Sequence, residues 1–376
     1  MHPKTIANFQ TLKKSKQTYR KENAMGLPNI NIKFSQVAST AIQRSGKGVV
    51  GLILKDATAE TNAVEYTLAS QASTDDWTSA NLRYIEEAFA GGCTKVVAFR
   101  VGTAVTEITD LLKSKKLNWI ASPETSLQVG IVTHVKDANA TTPGRKVKAV
   151  VFAQTADDKH IVNFTNTKVK RKNAEAEEDG VTYCPRLAGV LAGLPFTRSA
   201  TYYVLSDIDY VTESANPDTD IDAGKFIIIN DYGEPKIARA VNSLTTLGTG
   251  ENETLKSITT VEAMDLILED ITTTFKSTYI GKYKNKLSNQ MLFVSALNQY
   301  FKALANDDIL DPEFDNHAEI DVEAQRTAWI DAGKAEAADW DEITVKKNTY
   351  RTKIFLTGSV KILDAIEDLT FEIALA

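Results

Sequence analysis

Between residues 49 and 153, short β-branched runs alternate with stretches in which apolar residues recur every three or four positions. Residues 49–54 (Val-Val-Gly-Leu-Ile-Leu), 95–101, 117–121 and 147–153 read as strands. Residues 81–90 set Leu82, Ile85 and Phe89 on one helical face and stop at Gly91-Gly92, a helix C-terminal signal. Residues 105–115, with Ile108, Leu111 and Leu112 inward, and residues 124–136 predict two more helices. Alternation at this period predicts an α/β layer on a largely parallel sheet.

Beyond it, a charged loop over 171–180 precedes a small-residue helix over 186–194 that ends at Pro195. Apolar runs at 226–229 and 237–241 flank Asp231-Tyr232-Gly233-Glu234-Pro235, which predicts a meander. Gly248-Thr249-Gly250 marks the clearest domain boundary. After it, Val261, Met264, Leu266, Ile267, Leu268, Ile271 and Phe275 predict one long helix, and residues 291–304 a second with Leu292, Phe293, Leu297, Tyr300 and Phe301. Near the ends, Ile30-Asn31-Ile32-Lys33-Phe34 and Phe371-Glu372-Ile373-Ala374-Leu375 are period-2 strands with one apolar face each, joined to the body by polar tethers at 35–48 and 364–368. Such a strand closes its own sheet or adds to a neighbour's edge, and the pattern alone leaves both open.

Length and charge narrow the class. The chain has 376 residues, room for about two to three domains and a full core. Its net charge of −6 conceals an imbalance: residues 1–24 hold Lys4, Lys13, Lys14, Lys16, Arg20 and Lys21 against Glu22, or +5, leaving −11 on the remainder. A body that acidic repels polyphosphate, so direct nucleic-acid binding is not expected. Residues 1–24 read as a disordered basic leader or as a misassigned start ahead of Met25. Acid concentrates over 307–342, where thirteen acidic residues face only Arg326 and Lys334. Cys93 and Cys184 are far apart and imply no disulfide framework, as in a reducing compartment. No apolar run approaches the ~20 residues of a membrane span, and the basic start lacks a signal peptide's apolar core.

Catalytic and ligand-binding motifs fare poorly. Ser45-Gly46-Lys47-Gly48 lacks P-loop spacing and precedes a strand, and Gly248-Thr249-Gly250 lacks a third glycine. The calcium-loop imitation beginning at Asp218 fails where Ala223 replaces the turn glycine and Ile229 replaces the closing glutamate. His2, His134, His160 and His317 form no metal-ligand pair, so neither a metal nor a cofactor is expected. No GxSxG elbow is present, and Cys184 reads as a buried structural cysteine. An α/β hydrolase with a helical accessory domain stays open only through a triad assembled from distant residues. Aromatic and basic residues interleave only over 279–286, too small a patch to argue for nucleic acid.

Several longer strings carry a resemblance. Gly26-Leu27-Pro28-Asn29-Ile30-Asn31-Ile32, Arg186-Leu187-Ala188-Gly189-Val190-Leu191-Ala192-Gly193, Arg239-Ala240-Val241-Asn242-Ser243-Leu244 and Tyr279-Ile280-Gly281-Lys282 look like segments of contractile phage tail sheath proteins. The most specific string is Phe355-Leu356-Thr357-Gly358-Ser359-Val360-Lys361-Ile362-Leu363-Asp364-Ala365-Ile366-Glu367-Asp368. In order, these cover essentially residues 25–376, and the nearest likeness is to the compact sheaths of Gram-positive prophages and tail-like bacteriocins.

That resemblance implies a non-enzymatic homopolymer, helical or of stacked rings, around an inner tube, with baseplate and terminator or collar proteins as further partners. It implies assembly in the bacterial cytoplasm into a released virion or tail-like particle, with no direct contact to nucleic acid or membrane. The implied fold is an α/β core domain (49–247) with a largely parallel sheet and an α+β C-terminal domain (248–363). Extended β-arms then lie at 25–48 and 364–376. Family arms cross to neighbours, which places Ile30, Ile32, Phe34, Phe371, Ile373 and Leu375 in inter-subunit strands. Family sheaths touch the tube through a C-terminal-domain helix, which nominates Glu323, Asp331 and Glu336 on and beside the acidic helix 322–332.

Overall fold

A computed structural model describes residues 41–44, 46–56, 62–142 and 144–374. The first half runs β1 (Val49–Lys55), β2 (Ala63–Tyr66), α1 (Ser79–Ala90), β3 (Lys95–Val101), α2 (Thr109–Ser114), β4 (Trp119–Ala121), α3 (Gln128–Thr141), β5 (Lys148–Phe152) and β6 (Ile161–Phe164). It continues through β7 (Lys168–Arg171), β8 (Glu178–Asp179), α4 (Cys184–Gly193), β9 (Ile208–Val211), α5 (Pro217–Asp222) and β10 (Lys225–Phe226). One seven-stranded sheet has the order β10-β6-β5-β4-β1-β3-β2. All its pairs are parallel except β2 with β3. Val50, Leu52 and Leu54 enter an apolar cluster with α1 and α4, while Ile53 enters a second cluster with α2 and α3. Helices cover both faces, which is why β1 is apolar throughout instead of alternating.

The glycines of the 186–193 string have a packing reason. A Cβ on Gly189 would lie 2.1 Å from the Ala88 carbonyl oxygen, one on Gly91 2.4 Å from the Gly189 carbonyl carbon, and one on Gly193 2.6 Å from the Gly92 carbonyl carbon. The end of α1 and the middle of α4 therefore cross backbone to backbone. This crossing also rotates α1: its buried residues are Asn81, Tyr84, Ile85 and Ala88, with Leu82 and Phe89 only partly covered. Two further expectations shift. Residues 105–108 form a 3-10 turn ahead of α2, and α3 begins at Gln128 after another such turn. Phe226 pairs with Phe164 at the edge of the large sheet, so the predicted meander reduces to the hairpin β11 (Ile228–Asp231) and β12 (Glu234–Ile237) around Tyr232-Gly233.

The second half comprises α6 (Ile258–Thr274), α7 (Leu287–Asn306), β13 (His317–Ile320), α8 (Val322–Asp331), α9 (Glu342–Lys347) and β14 (Leu356–Ser359). Helix α6 carries two stripes. Ala263 and Leu266 join Phe293, Leu297, Tyr300, Phe301 and Leu304 of α7 in a third apolar cluster. Glu262, Asp265 and Glu269, spaced i, i+3, i+7 on one face, instead meet cations next to the starts of β4, β5 and β6. Lys148 Nζ lies 2.9 Å from Asp265 and 3.4 Å from Glu262, Lys116 Nζ 2.7 Å from Glu269, and His160 Nε2 3.2 Å from Asp265. An ionic seam thus fastens the long helix to the sheet.

Candidate functional site at the chain ends

Among the described residues, the small sheet β13–β14 leaves one edge open. Its antiparallel register pairs His317 with Ser359, Ala318 with Gly358 and Ile320 with Leu356. Ala318 and Ile320 are buried, and the side chain of Asn298 on α7 accepts from the Ala318 N–H at 2.7 Å and donates to its carbonyl at 3.1 Å. The Ala318 amide therefore points away from β14 and is capped. In an antiparallel pair opposed residues share this orientation, so the Gly358 N–H and C=O point outward on the other side. Residues 357–360 are exposed there. Gly358 itself admits no side chain, since a Cβ would sit 2.3 Å from the His317 carbonyl oxygen.

From β14 the chain continues through a bridge between Leu310 and Ile362 and then crosses to the α/β layer. The tether 364–368 is fastened to α6 and to that layer, not loose. Thr260 Oγ1 donates to Asp364 at 2.7 Å, Ser199 and Thr201 hydroxyls donate to Glu367 at 2.8 and 2.6 Å, and Arg239 pairs with Asp368. A cleft of about 870 Å³ separates this strap from the body, so polar contacts rather than packing hold it. Beyond the strap the side chains are bare: Leu369 is 87% exposed, Phe371 74% and Ile373 66%. None of residues 364–374 lies in a strand. An apolar segment and a strand edge, both unpaired among the described residues, are the two halves of a main-chain pairing reaction.

The other tether is also tied down. Ile42 is buried in the α6–α7 cluster, the Gln43 N–H donates to Thr274 Oγ1 at 3.1 Å, and Arg44 pairs with Asp307 at 2.6 Å. Residues 42–44 are thus held by the second half of the fold, and residues 364–368 by α6 together with Ser199, Thr201 and Arg239 of the first half. Ile30, Ile32, Phe34 and Leu375 lie outside the described residues.

The acidic helix α8 forms as expected, capped by Asp321 accepting from the Ala324 N–H at 2.8 Å. Its inward face holds Gln325, bonded to the Val345 carbonyl at 2.6 Å, and Trp329, bonded to the Asn348 carbonyl at 2.8 Å. Glu323 and Asp331 are exposed on its outer side, with Glu323 paired to Arg326 at 3.3 Å. Glu336 lies past Gly333 in a 3-10 turn, off the helix.

The description "phage tail sheath C-terminal domain" belongs to a family model that matches residues 250–376. Over 364 residues the chain is 31% identical to the tail sheath protein of Clostridium phage phiCD119, covering 93% of this chain and 99% of that protein. The chain belongs to the phage tail sheath family. The fold of this tail sheath chain is that of solved sheath structures. It matches the contracted helical sheath of the anti-feeding prophage at a TM-score of 0.68, 10% identity, and 93% and 99% coverage of the two chains. It matches the sheath tail protein of Desulfitobacterium hafniense at a TM-score of 0.64, 14% identity, and 78% and 94% coverage. None of these relatives is an α/β hydrolase. Within the tail sheath chain Cys184 is wholly buried, and burial pushes its thiol well up, so it offers no nucleophile. What sequence reasoning missed was the strap and the Asn298 cap; the only advance signals were the acidic residues of the tether and the unexplained glycine of its most specific string.

Proposed function

We propose that the chain is a non-enzymatic subunit of a contractile tail sheath, assembling as a homopolymer around an inner tube and attached to baseplate and terminator proteins. The observation that carries this reading is the edge of β14, unpaired among the described residues, together with a terminal segment whose Phe371 and Ile373 are exposed. The terminal strands at 30–34 and 371–375 add to the small sheets of neighbouring copies. Because the tethers are fastened at 42–44 and 364–368, reorientation between copies during contraction falls to the segments outside those anchors. The folded bodies move as rigid units and release stored free energy through new lateral burial, without nucleotide hydrolysis. The assembled particle forms in the cytoplasm and acts after release, with neither nucleic acid nor membrane bound directly by this chain.

Electron microscopy of the purified chain tests this. Tubes with a cogwheel section are expected from the full chain; removal of residues 371–376 should leave folded monomers and no tubes. Normal tubes from a chain lacking both 30–34 and 371–376 would refute strand exchange. For the tube contact we assign the outer side of α8. Glu323→Gln with Asp331→Asn should weaken low-salt association with the tube severalfold while sheath assembly persists, and unchanged association returns that face to solvent.

A further inference from the structure

The basic patch dismissed at sequence level becomes large once folded. Asn285 on the α6–α7 loop donates its side-chain amide to the carbonyls of Tyr350, Arg351 and Lys353 at 3.3, 3.0 and 3.0 Å, and Thr349 Oγ1 donates to the Asn285 carbonyl at 2.9 Å. These bonds bring Lys282, Lys284 and Lys286 beside Arg351 and Lys353. All five are exposed, and among the described residues none has a carboxylate within ion-pair distance. Tyr283 in their midst is half exposed.

Charge is segregated along this part of the chain. Residues 271–306 and 343–363 contain no Asp or Glu and five cations each, while 307–342 between them holds the thirteen acidic residues. Helix α9 runs from one pole to the other, starting at Glu342 and ending at Lys347. At its start stand Glu336 and Asp339, also without ion-pair partners among the described residues, beside Ile343, which is 61% exposed. The cations around them are engaged otherwise: Lys346 pairs with Glu342, Arg326 donates to the Ala337 and Trp340 carbonyls, and Lys334 is turned onto the Trp329 and Trp340 rings at 5.0 and 4.8 Å. Along α9, about 9 Å long at six residues, the ion pair is Lys346 with Glu342, and among the described residues no ion pair joins Glu336 or Asp339 to the five cations of the basic pole.

We propose that the basic pole of one copy docks on the acidic pole of a second copy, with Tyr283 meeting Ile343 inside a rim of ion pairs. Each chain carries both halves, so the contact is head-to-tail and propagates into a ring or helix instead of closing as a dimer. This rests on the reading of the chain as a self-assembling sheath, and it adds a contact independent of the terminal strands. Opposed charge sets the partner and the register more than the affinity.

The test uses two full-length charge-reversal variants, Lys282→Glu/Lys284→Glu/Lys353→Glu and Glu336→Lys/Asp339→Lys. Each alone should raise the protein concentration needed for tube formation at least tenfold, with thermal unfolding of the monomer unchanged. An equimolar mixture should recover assembly, because every contact in an alternating polymer is again between opposite charges. Assembly of either variant at the wild-type concentration, or a mixture no better than its components, overturns the proposal. Normal self-assembly with loss of tube binding overturns it in favour of the tube as occupant. If the wild-type chain forms no tubes, the sheath reading itself has failed.

Discussion

Gly189→Val is expected to destabilise the chain by about 3 kcal/mol or more and to remove most soluble protein. Helix propensity argues the other way, since replacing a mid-helix glycine usually gains up to about 1 kcal/mol. Geometry decides the sign. The added Cβ would meet the Ala88 carbonyl oxygen at 2.1 Å, a backbone atom that no rotamer change can move. Relief requires α1 and α4 to separate, which would uncover Tyr84, Ile85, Leu187 and Val190 in one apolar cluster. Gly189→Ala should already be destabilising, whereas Gly46→Ala, where nothing lies within 4 Å, should be near neutral. Denaturant midpoints at unchanged m-value measure all three; a stabilising Gly189→Ala would refute the backbone-contact account.

Lys148→Met is expected to cost about 3–5 kcal/mol, because it leaves Glu262 and Asp265 charged in a buried seam without their cation. Adding Glu262→Gln and Asp265→Asn should recover part of the loss, since the cost lies in stranded charge rather than in a missing attraction. The same seam sets a pH dependence. Burial alone would lower the His160 pKa, but its hydrogen bonds to Asp158 and Asp265 outweigh burial and raise it. Stability from the charged imidazole is therefore fully present below the ordinary histidine pKa of about 6.5, and it is lost as pH rises through the folded value. Burial pushes the Asp265 carboxyl up, yet Lys148 and His160 bring it down to about 2, so its contribution is lost as pH falls from the usual carboxylate range toward that value. His134 is shifted down by burial and acts only on the acid side of 6.5. Exposed His317 is raised beside Asp315 and adds a small term of the same sign as His160. Thermal melts above pH 6.5 should slope downward, and His160→Asn should flatten most of that slope; an unchanged slope would remove His160 from the account.

Much of the fold was legible because a parallel sheet writes its burial into short consecutive runs. Four of its seven strands and the helices between them follow from apolar spacing alone. Strand β6 was missed since Ile-Val-Asn-Phe is too short to stand out, and Phe226 was misassigned because its partner Phe164 is remote in sequence. The loop at 279–286 was undervalued for the same reason: its neighbours, Arg351 and Lys353, arrive only through Asn285.

The sequence by itself determined the layer architecture, the acidic block and, through the strings at 186–193 and 355–368, the sheath family. These are local properties, since periodicity, charge density and word-like motifs are complete within a few dozen residues. Only the tertiary structure decided that Gly189 is irreplaceable, that residues 42–44 and 364–368 are fastened to distant parts of the fold, that the β14 edge is unpaired among the described residues, and that Asn285 gathers cations from two remote stretches. Each of those depends on which distant backbone or side chain stands opposite, and folding alone supplies that partner.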